Sequence, residues 1–329
     1  MEIIYEQKLF FEKLKHKISN QNRLVDIIGE LLGIDTDAAY RRLRGETELK
    51  YREMQKICEM FKLSPDEVFN YQSEGTALFH YTPVDVSNNE GYIAYMERVL
   101  NGLNLLKLSS EKEIIFMAQD IPFFHFVKFK ELTFFKLFAW NSAINSTNLS
   151  FTEFCNNLEK DRIISIYDKI HNAYLSIPSK EILTNQTIDT ILRLLEYHYE
   201  IGAFENKDEV LLLLSQLTEL MKTLKRYADD NYKDEKLKTP FSLYLCSVDL
   251  ENNFILNKRA DTQSCMIKLY TINNISTDND IFCQEASKWA NNLISKSILI
   301  SGVSSKERIR FFKTSTNKIE NLINKIEFT

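Results

Sequence analysis

Leucine, isoleucine and phenylalanine recur at three- and four-residue spacing through most of the first 235 residues, where glycine and proline are rare. That period belongs to helices that hide one face. It predicts five short helices near the amino end, over 7–18, 23–32, 36–44, 50–61 and 64–70. Two stretches break the pattern: 73–91, with Gly75, Pro83, Ser87, Asn88, Asn89 and Gly91, and the charged run 229–240, which ends in Pro240. Clusters of these residue types punctuate helices, and the first break reads as a domain boundary. Beyond Pro240 the period shortens, because FSLYLCSVDL, NFILNKRA and SCMIKLYTI are β-rich runs separated by turn-like ENN and ADTQ. They predict an antiparallel meander. A helix over 280–295, the short strand KSILIS and a last helix over 306–326 complete the pattern. The expected fold is mainly α with a C-terminal α+β region. A five-helix helix-turn-helix domain over 1–72 and a linker over 73–90 precede a helical segment and a small antiparallel sheet over 91–329.

The signals for the helix-turn-helix are local. RLVDIIGELLG puts Leu24, Ile27, Ile28, Leu31 and Leu32 on one stripe, and Gly29 leaves room for a second helix. Gly33 suits the left-handed position after a helix end, and two residues later Asp35 suits the N-cap of TDAAYRRLR. In that helix Ala38, Ala39 and Leu43 can face inward. Thr36, Asp37, Tyr40, Arg41 and Arg44 then face out, with Arg42 near the margin, and all six are candidate DNA contacts. A helix fits the major groove, and guanidinium forks can pair with guanine edges or phosphates. Gly45 ends the helix. The next one buries Met54, Ile57, Cys58 and Phe61, and SPDEVF opens the last with Ser64, Pro65 and Glu67 in cap positions.

In this order, LVDIIGELLGID, TDAAYRRLRGE and MQKICEMFKLSPDEVF resemble the DNA-binding domain of lambda-repressor-like regulators. The resemblance covers about one-fifth of the chain, 23–70. It implies a repressor-like bundle in which the outer residues of 36–44 read base edges while Lys50 and Arg52 touch phosphates. Val25 stands where such families carry alanine. The longer layout, with AAYRRLRGE, then FMAQDIP, a Phe-rich helix and KSILIS, is similar to large bacterial regulators with a long, poorly characterised C-terminal region.

Charge sharpens this picture. The chain carries a formal net charge of −5, so bulk positive charge cannot hold nucleic acid and any contact must come from a local patch. Residues 1–72 hold 12 Lys or Arg against 13 Asp or Glu, but 41–56 holds six basic residues against three acidic. Five cysteines at 58, 155, 246, 265 and 283 form no C-x-x-C pair, which suits a reduced, cytoplasmic chain. The first residues lack an apolar signal core, and the greasy stretch 114–143 is interrupted by Asp120, Pro122, His125, Lys128, Lys130, Glu131 and Lys136. Neither export nor a membrane span is expected.

No G-x-S-x-G, P-loop, G-x-G-x-x-G or H-E-x-x-H occurs, so no enzyme, cofactor or metal site is expected. Glu196, His198 and Glu200 in EYHYE fall on diverging helix faces. Phe123, Phe124, Phe126, Phe129, Phe134, Phe135 and Phe138 read as core, with an effector pocket or dimer seam as the alternatives. The expected function is a sequence-specific DNA-binding transcription regulator. Its expected partners are double-stranded DNA, a second copy of the chain and a small-molecule effector of unknown identity. The competing readings are a protein-interaction module built on the bundle and a small-molecule sensor without DNA readout.

Overall fold

A computed structural model describes residues 7–8, 10–12, 14–15, 24–61, 76–81, 83–145, 148–248, 250, 252–260 and 262–328. Arg23 and the predicted fifth helix over 64–70, with Ser64, Pro65 and Glu67, lie outside the described residues. The chain divides into two units, Met1–Leu78 and Phe79–Thr329.

In the first unit, residues 7, 8, 10–12, 14 and 15 are helical, followed by α1 (Leu24–Leu32), α2 (Thr36–Leu43) and α3 (Tyr51–Phe61). Phe10, Phe11, Leu14, Leu24, Ile28, Ala39 and Ile57 close its core. Val25 joins them, filling with its larger side chain a place the resembled families give to alanine. Both predicted helix-ending glycines adopt positive φ, Gly33 at 66° and Gly45 at 73°, a region costly for other L residues. Each end closes with paired amide bonds: Ile34 N–H to Gly29 O and Gly33 N–H to Glu30 O, then Glu46 N–H to Arg41 O and Gly45 N–H to Arg42 O. The last carbonyls are thereby satisfied without extending the helix.

The second unit carries an eight-stranded sheet in the order β1-β7-β6-β5-β2-β3-β4-β8. Its strands are β1 (His80–Tyr81), β2 (Lys112–Met117), β3 (Ser179–Leu183), β4 (Phe241–Leu245), β5 (Phe254–Arg259), β6 (Gln263–Tyr270), β7 (Asn273–Thr277) and β8 (Ile298–Leu299). β2, β3 and β4 run parallel, with Ile114 opposite Ser179 and Ser179 opposite Phe241, while every other pairing is antiparallel.

This corrects the expectation of a small antiparallel sheet. The meander is real for β5, β6 and β7, but β4 pairs elsewhere, and β2 and β3 arise from stretches that read as helical. The cause is double-sided burial. Ile114 and Phe116 enter one core while Ile115 and Met117 enter another, so KEIIFM shows a continuous apolar run instead of alternation. Residues 79–90, expected within the linker, lie in the second unit and contribute β1 together with buried Val84 and Val86.

Helices α4 (Asn89–Leu108), α5 (Phe123–Phe126), α6 (Lys130–Ile144), α7 (Phe151–Asn156), α8 (Lys160–Leu175), α9 (Asp189–Glu200), α10 (Lys207–Asp230) and α12 (Ser305–Glu327) build the larger core with one sheet face. The Phe-rich stretch belongs to it: Phe126, Phe134, Phe135 and Phe138 are buried, and Phe135 lies against Phe138, Phe151, Phe204 and His198. Burying rings of this size contributes roughly 1.5–3 kcal/mol each. On the opposite face, α11 (Asp280–Lys296) sets Cys283, Ala286, Ala290 and Leu293 over Ile115, Ile182 and Leu256. A buried polar network sits in the larger core. His125 Nε2 lies 2.8 and 2.9 Å from the two Glu181 oxygens, Tyr174 donates to the same carboxylate, and Lys233 Nζ donates to Tyr174 O at 2.8 Å. Burial alone would raise the pKa of Glu181, but His125 and Tyr174 hold it below the usual range.

Candidate nucleic-acid interface

The candidate interface is the outer face of α2. Its amino end is fixed by Asp35, whose Oδ1 accepts the Ala38 amide at 2.7 Å. Its inner side is fixed by close approach to α1: a Cβ on Gly29 would stand 3.2 Å from Ile34 O and 4.0 Å from the Ala39 Cβ. With Ala39 thus buried, the helix has one rotation left, and Thr36, Asp37, Tyr40, Arg41 and Arg44 are exposed. Lys50 and Arg52, which flank the start of α3, are exposed as well.

The three arginines separate into two kinds. The side chains of Arg41 and Arg44 are 57% and 58% exposed, and they pair with Asp37 at 3.0 Å and Glu46 at 3.2 Å. Ion pairs at this exposure contribute roughly 0–1 kcal/mol, so either arginine can exchange its acid for another anion at little cost. Arg42 behaves differently. Its side chain, expected at the margin of the outer face, is only 12% exposed and grips Glu53 in a fork, Nε to Oε2 at 3.0 Å and Nη2 to Oε1 at 2.9 Å. A third bond runs to Ala38 O. The Arg42 hydrogen bond holds the Glu53 carboxyl below its ordinary pKa, against a smaller desolvation effect, and the Lys50 amide adds to it. Arg42 therefore ties α2 to α3 and does not offer its guanidinium to the surface.

Two residues that sequence reasoning missed complete the support. Glu53 lies three positions after Lys50, the spacing of a side chain that caps its own helix, and this signal could have found it. Gln7 had no such signal. Its amide donates to Arg42 O at 2.7 Å and Thr47 O at 2.8 Å, and its carbonyl accepts from the Leu49 amide at 2.9 Å. One side chain thus holds the end of α2 and the loop after it.

Two helices joined by a short turn, the second exposing guanidinium forks and a phenol, make the class of this unit a helix-turn-helix. The family model of the BetR domain, a helix-turn-helix-like domain associated with transcription regulation, matches residues 11–84. The match points to a DNA-binding regulatory role in general. No curated protein and no solved structure matches the chain.

Elsewhere the sequence candidates have structural partners. Glu196 and Glu200 both hold Lys325 at 2.7 Å, while His198 is turned into the Phe135 and Phe138 rings. Among the described residues no cluster of three or more metal-ligating side chains occurs. No helix among them is long and apolar enough to cross a membrane.

Proposed function

We propose that the chain is a sequence-specific, cytoplasmic transcription regulator of the lambda-repressor-like kind that reads duplex DNA with the outer face of α2. The observation that carries this reading is the division of labour among the arginines. Arg42 is spent inside the unit, and this leaves Arg41 and Arg44 presented side by side with Tyr40 on a helix capped by Asp35 and closed by Gly45. In the proposed complex Thr36, Asp37, Tyr40, Arg41 and Arg44 meet base edges or adjoining phosphates, and Lys50 and Arg52 meet phosphates. Arg42 acts through α2 by keeping it aligned. One such face closes few phosphate contacts, so useful affinity calls for two copies on a two-fold symmetric site. Residues 91–329 supply dimerisation and sense a signal, and no catalytic step is assigned to them.

Selection of bound fragments from genomic DNA by the full chain tests this. The reading expects a symmetric site with half-sites about one helical turn apart; recovery of no preferred sequence would remove it. A second reading, in which the bundle binds another protein, draws on the near balance of charge over 1–72 and on the acids that accompany Arg41 and Arg44. It expects binding that barely responds to salt.

A further inference from the structure

Helices cover the parallel half of the sheet closely, but over β5, β6 and β7 the same face meets α4 across a cavity of about 520 Å³, within the range of small-molecule sites. The cavity lies wholly in the second unit. It runs beside β5 from Asn253 to Arg259, roughly 20 Å at strand spacing, so it is long as well as large. Its roof is apolar, with Met96, Val99, Leu103 and Leu106 on α4, and its closed end is aromatic, with Phe116, Phe123, Phe124 and Trp140. The floor is mixed: at alternate strand positions polar Asn257, Ser264, Asn274 and Ser276 lie among apolar Ile255 and Met266.

The charge in it is unbalanced. At the aromatic end Asp120, Lys136 and Lys268 come together. Asp120 is engaged on all sides, by Asn253 Nδ2 at 2.5 Å, Lys268 Nζ at 3.2 Å and Lys136 Nζ at 3.7 Å. One carboxylate therefore answers two ammonium groups. Lys136 is the poorer served of the two. The residue is 5% exposed, its nearest carboxylate lies beyond hydrogen-bond length, and the ring centres of Phe126 and Trp140 lie 4.1 and 5.6 Å from its Nζ. Exposed Arg98, Arg259, His80 and Asp278 also line the cavity.

A second feature points the same way. Gly102 sits in the interior of α4 and lines the cavity, and no atom stands within 4 Å of where its Cβ would be. A mid-helix glycine weakens a helix relative to alanine, and no neighbouring side chain or backbone requires its small size. Gly102 is itself exposed, so the space it leaves lies at the mouth of the cavity.

We propose that this cavity binds a small organic acid with a single negative charge on an apolar body, its carboxylate taken by Lys136 and Lys268 and its body lying under α4. A single charge neutralises what Asp120 leaves over, and the apolar roof with Ile255 and Met266 below it favours a ligand with carbon skeleton to bury. The proposal rests on the sensing part of the function proposed above and is indifferent to whether α2 meets DNA. Burial depresses the Lys136 pKa to about 8 against the pull of Asp120, and a bound anion would raise it again.

Titration calorimetry of the full chain with decanoate tests the site. We expect saturable one-to-one binding at neutral pH, with 1-decanol at least tenfold weaker. Lys136→Met, which keeps the apolar stem, weakens decanoate at least tenfold and leaves decanol unchanged. Gly102→Phe fills the mouth of the cavity and abolishes decanoate binding, with the melting transition retained. Absence of saturable decanoate binding, equal binding of decanol, or an unaltered Lys136→Met affinity would each overturn the proposal. Decyl phosphate binding tenfold tighter than decanoate would overturn the assignment to a singly charged acid. DNA affinity of the full chain measured with and without decanoate separates the two claims: an unchanged value with decanoate bound removes the sensing reading and leaves the site standing.

Discussion

Arg42 and Lys136 are both drawn in from solvent beside a carboxylate, yet the two units use them in opposite ways. In the first unit Arg42 meets Glu53 in a full fork with further bonds to backbone, so nothing in that pair calls for an outside partner. Arg41, Arg44, Lys50 and Arg52, on and beside α2, stay exposed. In the second unit one carboxylate serves two lysines, and a further lysine, Lys233, is buried in the core. The contrast separates two routes to anion recognition. Exposed cations in loose pairs suit a large polyanion that approaches from solvent, whereas a desolvated, underserved ammonium suits one small anion that can follow it inside.

The comparison breaks most visibly if the two units fail together. Phe135→Ala removes a fully buried ring from four aromatic neighbours and is expected to destabilise the second unit by about 3–5 kcal/mol. Urea unfolding reads the loss, and amide exchange in α1, α2 and α3 should stay at its wild-type rate. Faster exchange there would mean that the units share one folding equilibrium.

The pH response should differ next. Burial lowers the Lys136 pKa to about 8 and the Lys233 pKa to about 7, so from pH 7 these two lysines bind more protons in the unfolded chain than in the folded one, while the thiols of Cys58, Cys155, Cys265 and Cys283, whose pKa burial raises, act the other way as pH nears 9. Stability then rises with pH, by on the order of 2 kcal/mol from pH 7 to 9. The groups facing these lysines are Asp120 and Lys268 for the first and Glu181 for the second. In the first unit Glu53, with its lowered pKa, is ionised throughout that window and gives no slope. Melting curves at the two pH values check this, and loss of the rise in Lys136→Met with Lys233→Met would assign it.

The arginine pairs give the smallest effects. A double-mutant cycle with Arg42→Ala and Glu53→Gln should return a coupling of about 1–2 kcal/mol for a mostly buried fork. The same cycle on Arg41 and Asp37 should return no more than about 0.5 kcal/mol. Equal couplings would erase the distinction on which the DNA-contact assignment stands.

What could be read from the sequence follows the range of the forces involved. Asp35, Gly33 and Gly45 act within five residues of themselves, and each lies where local chemistry puts it. So do α11, β8 and α12, whose periods are clean. β3 was hidden because SKEIL looks polar: its Glu181 is buried against His125, 56 residues earlier, and Tyr174. Gln7 reaches 35 to 42 residues to hold the α2 loop, and the cavity joins α4 to strands more than 140 residues on. Periodicity reports a residue's own element and is silent about such partners.

The most direct test of the central claim is fluorescence anisotropy of the full chain on its selected duplex, titrated from roughly 50 to 200 mM salt. The account predicts affinity that falls steeply with salt. It also predicts that Arg41→Ala with Arg44→Ala weakens binding at least about tenfold and flattens the salt slope by about 1 to 2, with the fold intact. Binding indifferent to salt, or a double variant that binds as the wild type does, would contradict it.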